Sequence, residues 1–354
     1  MIGYILAAIL IFGVLIAVHE LGHFMAAKAC NVRVNEFSIG MGPEILSRKK
    51  GETQYSFRLF PIGGYCAMEG EDEDTGDSRA LANQGFWKKL IILAAGSLMN
   101  FLAGVLILLV LYTGATAFFT DEITAIAPEF SHTGENSLMA GDQVYKVNGY
   151  RTYLAGDTGL FLSYARGEDT TIEVIRDGEH IQVTGLRRQT CTDMEGKPYT
   201  GFGITLGRRA EEATLGAKLR YTWNTALDFV QMVRFSLVQL VTGGASMKDL
   251  SGPVGIVSTI TEVGTQAESA RAAWSRIFYF AALLAVNLAV MNLLPIPALD
   301  GGKIFFLIIN QLCMLLIHKQ IPPKFENYIH AAGFVLLMAL MAVVMFQDVW
   351  KIIR

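Results

Sequence analysis

The sequence has few charged residues for its length and no paired cysteines. Only 17% of its 354 residues are Asp, Glu, Lys or Arg, whereas 52% are hydrophobic. With a mean hydropathy of +0.38, this balance is too apolar for an ordinary soluble enzyme and favours a polytopic membrane protein. The net charge is −3, so the chain has no excess of basic residues that would attract nucleic acid or anionic lipid.

The cysteines are scattered without any C-x-x-C pair, so the sequence indicates neither a disulfide framework nor a thiolate zinc site. The apolar N-terminus also lacks a basic region and a small-x-small cleavage site. This favours a retained transmembrane helix over a cleaved signal peptide.

Long apolar runs predict the membrane-spanning segments. Crossing the hydrocarbon core takes about 20 apolar residues in a helix. Charged residues interrupt the apolar run at 215–241, so we predict a membrane-associated amphipathic helix within 211–250. The expected fold is a multi-pass α-helical membrane protein with four transmembrane helices, two within 1–118 and two within 251–354. The four predicted spans are 2–25, 91–118, 277–299 and 328–347.

Two polar segments between the spans predict β-structure. Within 34–68, the strand-like "QYSFRLFPIGGYCAM", the turn signal "RKKGE" and repeated glycines indicate paired strands with sharp turns. Residues 122–208 alternate in polarity and contain the hairpin signals Asn148-Gly149 and Asp177-Gly178. The second segment therefore predicts a small β-rich, water-exposed domain.

The first apolar run ends in "HELGH", in which His19 and His23 lie at i and i+4 on one helix face. Two such imidazoles can hold Zn²⁺, and Glu20 beside them can take a proton from the water that attacks a carbonyl. Ionisable side chains at membrane depth are expensive, which favours a functional site. Gly22 between them allows another backbone to pack closely. The pattern predicts a zinc hydrolase that needs a third ligand.

Asp300 is the strongest candidate for the third ligand. It ends an apolar span and precedes two glycines. If the chain crosses the membrane once between the first and third spans, Asp300 reaches the same half of the bilayer as the histidines. Glu36 or Glu44 in the β-segment, and His318 or His330 near the membrane edges, remain alternatives.

The same span carries candidate substrate-binding residues. Pro295 and Pro297 interrupt the helix, and unpaired backbone at membrane depth is tolerated where it lines a cavity or meets a ligand. Asn287 and Asn292 can offer amide hydrogen bonds to an unwound, extended substrate, and 34–68 can add edge pairing. Alternatively, these asparagines serve only to join transmembrane helices.

Five motifs occur in order along nearly the whole chain: "HELGH", "GMGP", "FPIGGY", "SGPVGI" and "NLLPIPALDGG". Together they resemble the site-2 protease family of intramembrane zinc metalloproteases, in particular its bacterial regulator-of-sigma-E-protease-like group. The resemblance implies one Zn²⁺ and a catalytic base at Glu20. It implies the zinc ligands His19, His23 and Asp300, and the substrate contacts Asn287 and Asn292.

The resemblance also implies the domain organisation. The 34–68 segment corresponds to a membrane re-entrant β-hairpin region, 122–208 to an inserted PDZ domain carrying "LMAGDQVYKVNG", and 211–250 to a membrane-associated helix. The length allows one PDZ-like domain. Lys303 follows the double glycine where many relatives carry histidine or arginine, and we expect it to affect the metal little.

The implied activity is that of an endopeptidase in a bacterial inner membrane. It would cut single-pass membrane proteins in or near their transmembrane segments, such as an anti-sigma factor after a first cleavage, or remnant signal peptides. The active site would lie toward the cytoplasm and the PDZ-like domain outside. The competing functions are a non-catalytic membrane PDZ scaffold, which the intact motif disfavours, and a channel or transporter, which the absence of an inverted repeat disfavours.

Overall fold

The computed structural model describes residues 2–353 except 72–74, 129, 131–136, 166–168, 193–196, 247–249 and 320. The described residues form two compact units, Met1–Leu108 with Ala245–Arg354, and Leu109–Gly244. The helices are α1 (Ile2–Ala29), α2 (Phe86–Tyr112), α3 (Asp157–Tyr164), α4 (Leu215–Val241), α5 (Pro253–Thr265), α6 (Ala270–Leu293), α7 (Asp300–Ile317) and α8 (Pro323–Ile353). The strands are β1 (Val34–Lys50), β2 (Thr53–Met68), β3 (Ala117–Ile126), β4 (Gln143–Val147), β5 (Tyr150–Arg151), β6 (Thr170–Arg176), β7 (Glu179–Leu186), β8 (Gln189–Thr192), β9 (Pro198–Gly201) and β10 (Ile204–Glu212).

Five helices in the described part of the chain are long and apolar enough to cross a membrane: α1, α2, α6, α7 and α8. Apolar side chains on α1, such as Leu6 and Leu10, remain exposed, as expected of a helix that meets lipid rather than water. Each predicted span overlaps one of these helices, but 91–118 and 277–299 extend too far, because α2 ends at Tyr112 and α6 at Leu293. Helix α7 is an additional candidate. The count of four spans therefore stays a prediction, and α4 is not among the five.

The third predicted span ends in a break. Helix α6 stops at Leu293 and α7 begins at Asp300, so the chain between them is not helical. Pro295 and Pro297 lie in this connection, where proline removes the N–H donors that a continuous helix needs. The predicted proline-broken helix is confirmed, and the break places Asp300 at a helix N-terminus.

Strands β1 and β2 are both bent, so they form four paired segments. Residues 34–39 pair on one side with 64–68, and 36–39 pair on the other side with 54–57. Residues 44–50 pair with 53–58. Gly40 has a φ of +86°, a conformation that favours glycine and permits the bend in β1. Segment 64–68 is thus an outer strand of this small sheet, and within the described residues no strand pairs with its free edge.

The "SGPVGI" motif forms the start of α5. Asp348 of α8 accepts hydrogen bonds from the backbone N–H groups of Gly252 and Gly255, both at 2.8 Å. A Cβ at either glycine would lie within about 3 Å of the Asp348 carboxylate, so the glycines permit this approach. The carboxylate satisfies N–H groups that a helix N-terminus leaves without partners. This contact fixes the end of α8 against α5.

The second unit is built on an antiparallel sheet with strand order β10-β3-β4-β6-β7, and β5 pairs with β4. Ile123, Val147, Ile172 and Val183 are buried in its core, together with Phe161 of α3. The β-rich character predicted for 122–208 is therefore present, and the PDZ assignment stays a prediction. Residues 129, 131–136, 166–168 and 193–196 of that range lie outside the described residues.

Helix α4 packs against this sheet. Phe235 contacts the rings of Tyr150 and Phe161, with centroids 5.0 and 5.2 Å apart. The Gln231 amide accepts a hydrogen bond from the backbone N–H of Arg151 and donates one to its C=O. Part of the apolar face predicted to lie on a membrane is thus buried against protein. Exposed Leu215, Leu219 and Val241 lie elsewhere on α4, whose membrane association stays a prediction.

Candidate metal centre

Two helices from distant parts of the sequence bring three ligand-type side chains together. His19 and His23 of α1 have their Nε2 atoms 3.1 Å apart. Oδ2 of Asp300, at the start of α7, lies 3.0 Å from the first Nε2 and 3.3 Å from the second. Both histidines are buried, with 8% and 6% of their surfaces exposed. The spacing of HExxH and the helix break after α6 together create this cluster.

The cluster fits a zinc ion. Ligand atoms about 2.0 to 2.1 Å from a tetrahedral Zn²⁺ lie about 3.3 Å from one another, close to the separations found here. Oδ2 of Asp300 is buried and accepts no aligned hydrogen bond within the described residues, as expected of an atom that binds a cation. Two imidazoles and one carboxylate form a donor set typical of catalytic zinc sites, in which a fourth position is left for water.

Helix α2 orients the two histidines. Nδ1 of His23 lies 2.8 Å from the backbone C=O of Ile92, to which it donates, so Nε2 is left free for a metal. The side-chain amide of Asn100 lies 3.5 Å from Nδ1 of His19. A Cβ at Gly96 would lie 2.4 Å from Nε2 of His23, so this position needs glycine. No motif in the sequence marks these three α2 residues.

Glu20 lies beside the ligands in a cavity of about 300 Å³ that His19, His23 and Asp300 also line. Strand β2 passes close to it, since a Cβ added at Gly64 would lie 3.6 Å from Cγ of Glu20. The cavity wall continues along the outer strand, through Tyr65, Cys66, Ala67 and Met68. A carboxylate, three ligand atoms and a free strand edge therefore meet in one cavity.

The alternative third ligands lie outside this cluster. Glu36 is paired with Arg58 at 2.8 Å, and Glu44 accepts a hydrogen bond from Gln54 at 3.0 Å, both within the β1–β2 sheet. His318 follows α7 in the left-handed conformation with a φ of +53°.

The fourth alternative, His330 of α8, is also engaged elsewhere. Its Nδ1 accepts a hydrogen bond from the backbone N–H of Ala298 at 3.0 Å.

The candidate substrate-binding residues do not line the cavity formed by the described residues. Asn287 and Asn292 are half-buried on α6, Pro295 is exposed in the connection, and Pro297 packs against Gly333 of α8. Their role in substrate binding stays a prediction.

The double glycine after Asp300 has a steric reason. A Cβ at Gly301 would lie 2.1 Å from the carbonyl oxygen of Leu294, and one at Gly302 would lie 2.4 Å from that of Ile296. The connection therefore folds tightly over the first turn of α7. Only residues without a side chain fit where the two meet.

Lys303, one turn after Asp300, forms an ion pair with Glu71. Its Nζ lies 2.7 Å from Oε1 of Glu71, which lines the metal cavity. Lys303 thus contacts the cavity wall, and its small effect on the metal stays a prediction.

Comparison with known proteins gives matches over nearly the whole chain. The protein-family model described as "Peptidase family M50" matches residues 7–340 of the sequence. A putative zinc metalloprotease of Clostridium perfringens is 34% identical over 347 residues, covering 98% of both chains. A putative zinc metalloprotease of Clostridium acetobutylicum is 36% identical, covering 98% of this chain and 97% of the relative. The "Regulator of sigma-W protease RasP" of Bacillus subtilis is 27% identical over 434 residues, covering 99% of each chain.

Proposed function

We propose a substrate for this chain, which belongs to peptidase family M50 and is an intramembrane zinc metalloprotease. It hydrolyses peptide bonds in or near transmembrane segments of single-pass membrane proteins. In this proposal His19, His23 and Asp300 hold the zinc ion, and Glu20 is the catalytic base. The convergence of the three ligand atoms within 4.8 Å of one another is the observation that carries the assignment.

The chemistry follows from the cavity. When bound, Zn²⁺ supplies a Lewis acid that polarises the scissile carbonyl and lowers the pKa of the attacking water. Glu20 accepts the proton of that water and passes it to the leaving amine. The C=O of Ile92 holds His23, and Glu20 lines the cavity against Gly64 of β2. Neither group then needs to reorganise when a substrate arrives.

The substrate must be extended to expose its peptide bonds, because a helix hides them. Among the residues that the structure describes, no strand pairs with the edge of 64–68 beside the cavity, which supports strand addition by the substrate. In this proposal Asn287 and Asn292 hold the other side of the extended segment, and Pro295 and Pro297 keep the α6–α7 connection open to it. These four roles rest on the sequence and on the broken helix.

The name of the Bacillus subtilis relative, a regulator-of-sigma-W protease, supports a substrate that controls a sigma factor. As one substrate of this chain we therefore propose an anti-sigma factor that has undergone a first cleavage. Remnant signal peptides are the second proposed substrate class, since they are also short membrane segments. We place the enzyme in a bacterial inner membrane, with the metal centre toward the cytoplasmic side. A PDZ-like domain at 122–208 would then lie outside and admit shortened substrates.

Substitution of Asp300 tests the ligand set. Asp300→Ala is expected to lower bound zinc from about one ion per chain to well under half, with activity falling in parallel, because it removes one of three protein ligands. Zinc is measured by elemental analysis of protein purified in detergent, and Glu44→Ala serves as the matched control. Wild-type zinc content in Asp300→Ala, or zinc loss in Glu44→Ala, would contradict this ligand set.

A further inference from the structure

We propose that His330 is a positioning residue that fixes the turn before Asp300 and thereby places the third zinc ligand. The proposal rests on the metal centre described above and adds a residue that lies outside it. His330 contacts the backbone of Ala298, two residues before Asp300, rather than the metal cluster.

Ala298 adopts an unfavourable backbone conformation. Its φ is +73°, in the left-handed region that residues with a Cβ rarely occupy. Such conformations persist where the surroundings over-determine them, and they concentrate at functional sites. A specific contact is therefore expected to hold Ala298 in place.

That contact comes from α8. The backbone N–H of Ala298 donates to Nδ1 of His330 at 3.0 Å. The imidazole is mostly buried, with 17% of the side chain exposed, and packs against the ring of Phe306 at a centroid distance of 5.4 Å. Phe306 belongs to α7, so the imidazole contacts both the turn and the helix that follows it.

A second contact acts on the same turn. A Cβ at Gly333, nearly one turn after His330 on α8, would lie 2.3 Å from Cβ of Pro297. Helix α8 therefore presses directly against Pro297 and hydrogen-bonds to Ala298. These neighbouring contacts define where the turn lies relative to α8.

The position of this turn determines the position of Asp300, the proposed zinc ligand. Asp300 is the first residue of α7, and the close packing of Gly301 and Gly302 under the connection leaves little room for adjustment. If the hydrogen bond to Ala298 is lost, the backbone can relax toward negative φ, and the start of α7 then rotates. Because Oδ2 of Asp300 lies about 3 Å from both histidine nitrogens, a small rotation is enough to disturb the cluster.

The test compares substitutions that keep or lose the acceptor. In His330→Asn the amide oxygen occupies the region of Nδ1, whereas in His330→Gln the amide lies near Nε2 and His330→Leu has no acceptor. Purified full-length protein is loaded with zinc, and its release to a chromogenic chelator is timed. We expect His330→Leu and His330→Gln to release zinc about 10-fold to 100-fold faster than wild type, and His330→Asn within about 3-fold of it.

A backbone variant separates positioning from general damage. Glycine adopts positive φ without strain, so adding Ala298→Gly to His330→Leu is expected to restore most of the slow release. Wild-type release from His330→Leu, equally fast release from His330→Asn and His330→Leu, or no recovery with Ala298→Gly would each overturn the proposal. Asp300→Ala is run in parallel. If it fails to accelerate release, the ligand set itself is wrong; if it accelerates release and His330→Leu does not, only the positioning role fails.

Discussion

At the scale of single residues, the absence of a side chain at Gly96 lets the two imidazoles lie against α2 with their Nε2 atoms 3.1 Å apart. Its position on α2 faces both imidazoles, at 2.4 Å from His23 and 2.7 Å from His19 for an added Cβ. Gly96→Ala would force the rings away from the place where their Nε2 atoms meet. We expect zinc content to fall at least about 10-fold, comparable to loss of an outer contact to a metal site.

Elemental analysis of the purified variant measures this effect. Gly3→Ala on α1 is the matched control, because an added Cβ there meets no atom within 4 Å. Full zinc occupancy in Gly96→Ala would show that the histidines do not depend on this close approach.

Two buried carboxyls in the second unit predict a pH dependence of its stability. Burial raises the pKa of Asp228 to about 8, and the charge of Asp157 adds to the rise. Burial also raises the pKa of Asp157 to about 6, against hydrogen bonds from two backbone N–H groups. At a pH above about 4, the unfolded chain has lost these protons, because its Asp pKa values are near 3.8, whereas the folded unit still keeps them. Its stability falls as pH rises from about 4 to about 8.

Hydrogen exchange of α3 and α4 in the full-length protein measures this. After correction for intrinsic exchange rates, protection at pH 5 should exceed that at pH 8 at least about tenfold, since one pKa unit is a factor of ten. Asp228→Asn should remove most of the difference. An unchanged pH dependence in Asp228→Asn would show that another group is responsible.

At the scale of elements, the contact between α8 and α5 predicts a stability effect remote from the metal. Asp348 is 2% exposed and accepts two backbone hydrogen bonds at the start of α5. Asp348→Ala leaves these N–H groups without their acceptor, at a cost of roughly 1 to 3 kcal/mol. The thermal midpoint in detergent should drop by several degrees.

Asp348→Asn should lower the thermal midpoint less than Asp348→Ala does, because one side-chain oxygen can still accept a hydrogen bond from the start of α5. Zinc content should remain that of wild type in both variants, since the contact lies in α5 and α8 rather than in the cluster. An Asp348→Ala midpoint equal to that of wild type would show that the N–H groups find other partners.

Helix α4 shows where sequence patterns stop being specific. Its amphipathic pattern predicts a helix with one apolar face, and the structure confirms the helix. The pattern does not distinguish a membrane from a protein surface, because both accept apolar side chains. Part of that face, around Phe235, packs against the β-sheet, a contact that depends on residues about 75 to 85 positions earlier in the chain.

The β1–β2 region shows a second limit. Strand composition and glycines in 34–68 correctly predict paired strands with sharp turns. They do not predict that 34–39 pairs on both sides, because that register depends on where each strand bends. The outer strand beside Glu20 follows from this register, so it emerges only from the folded sheet.

At the scale of the whole molecule, the sequence predicts which three ligand-type side chains come together better than it predicts their surroundings. HExxH has a fixed chemical meaning on a helix, and an aspartate in an apolar span is conspicuous, so His19, His23 and Asp300 stand out. Gly96 and Asn100 do not stand out in sequence, because small and amide residues are common where transmembrane helices pack. Their relation to the histidines depends on how α2 crosses α1.

The most direct measurement of the central claim is cleavage by the Glu20→Gln protein. Zinc should remain at about one ion per chain, because Glu20 lies beside the ligand cluster and is not one of its members. Cleavage of a single-pass model substrate in liposomes should fall by about 10²-fold to 10⁴-fold, the usual contribution of a general base. Retained zinc together with wild-type cleavage would contradict the assignment of Glu20 and the proposed hydrolytic mechanism.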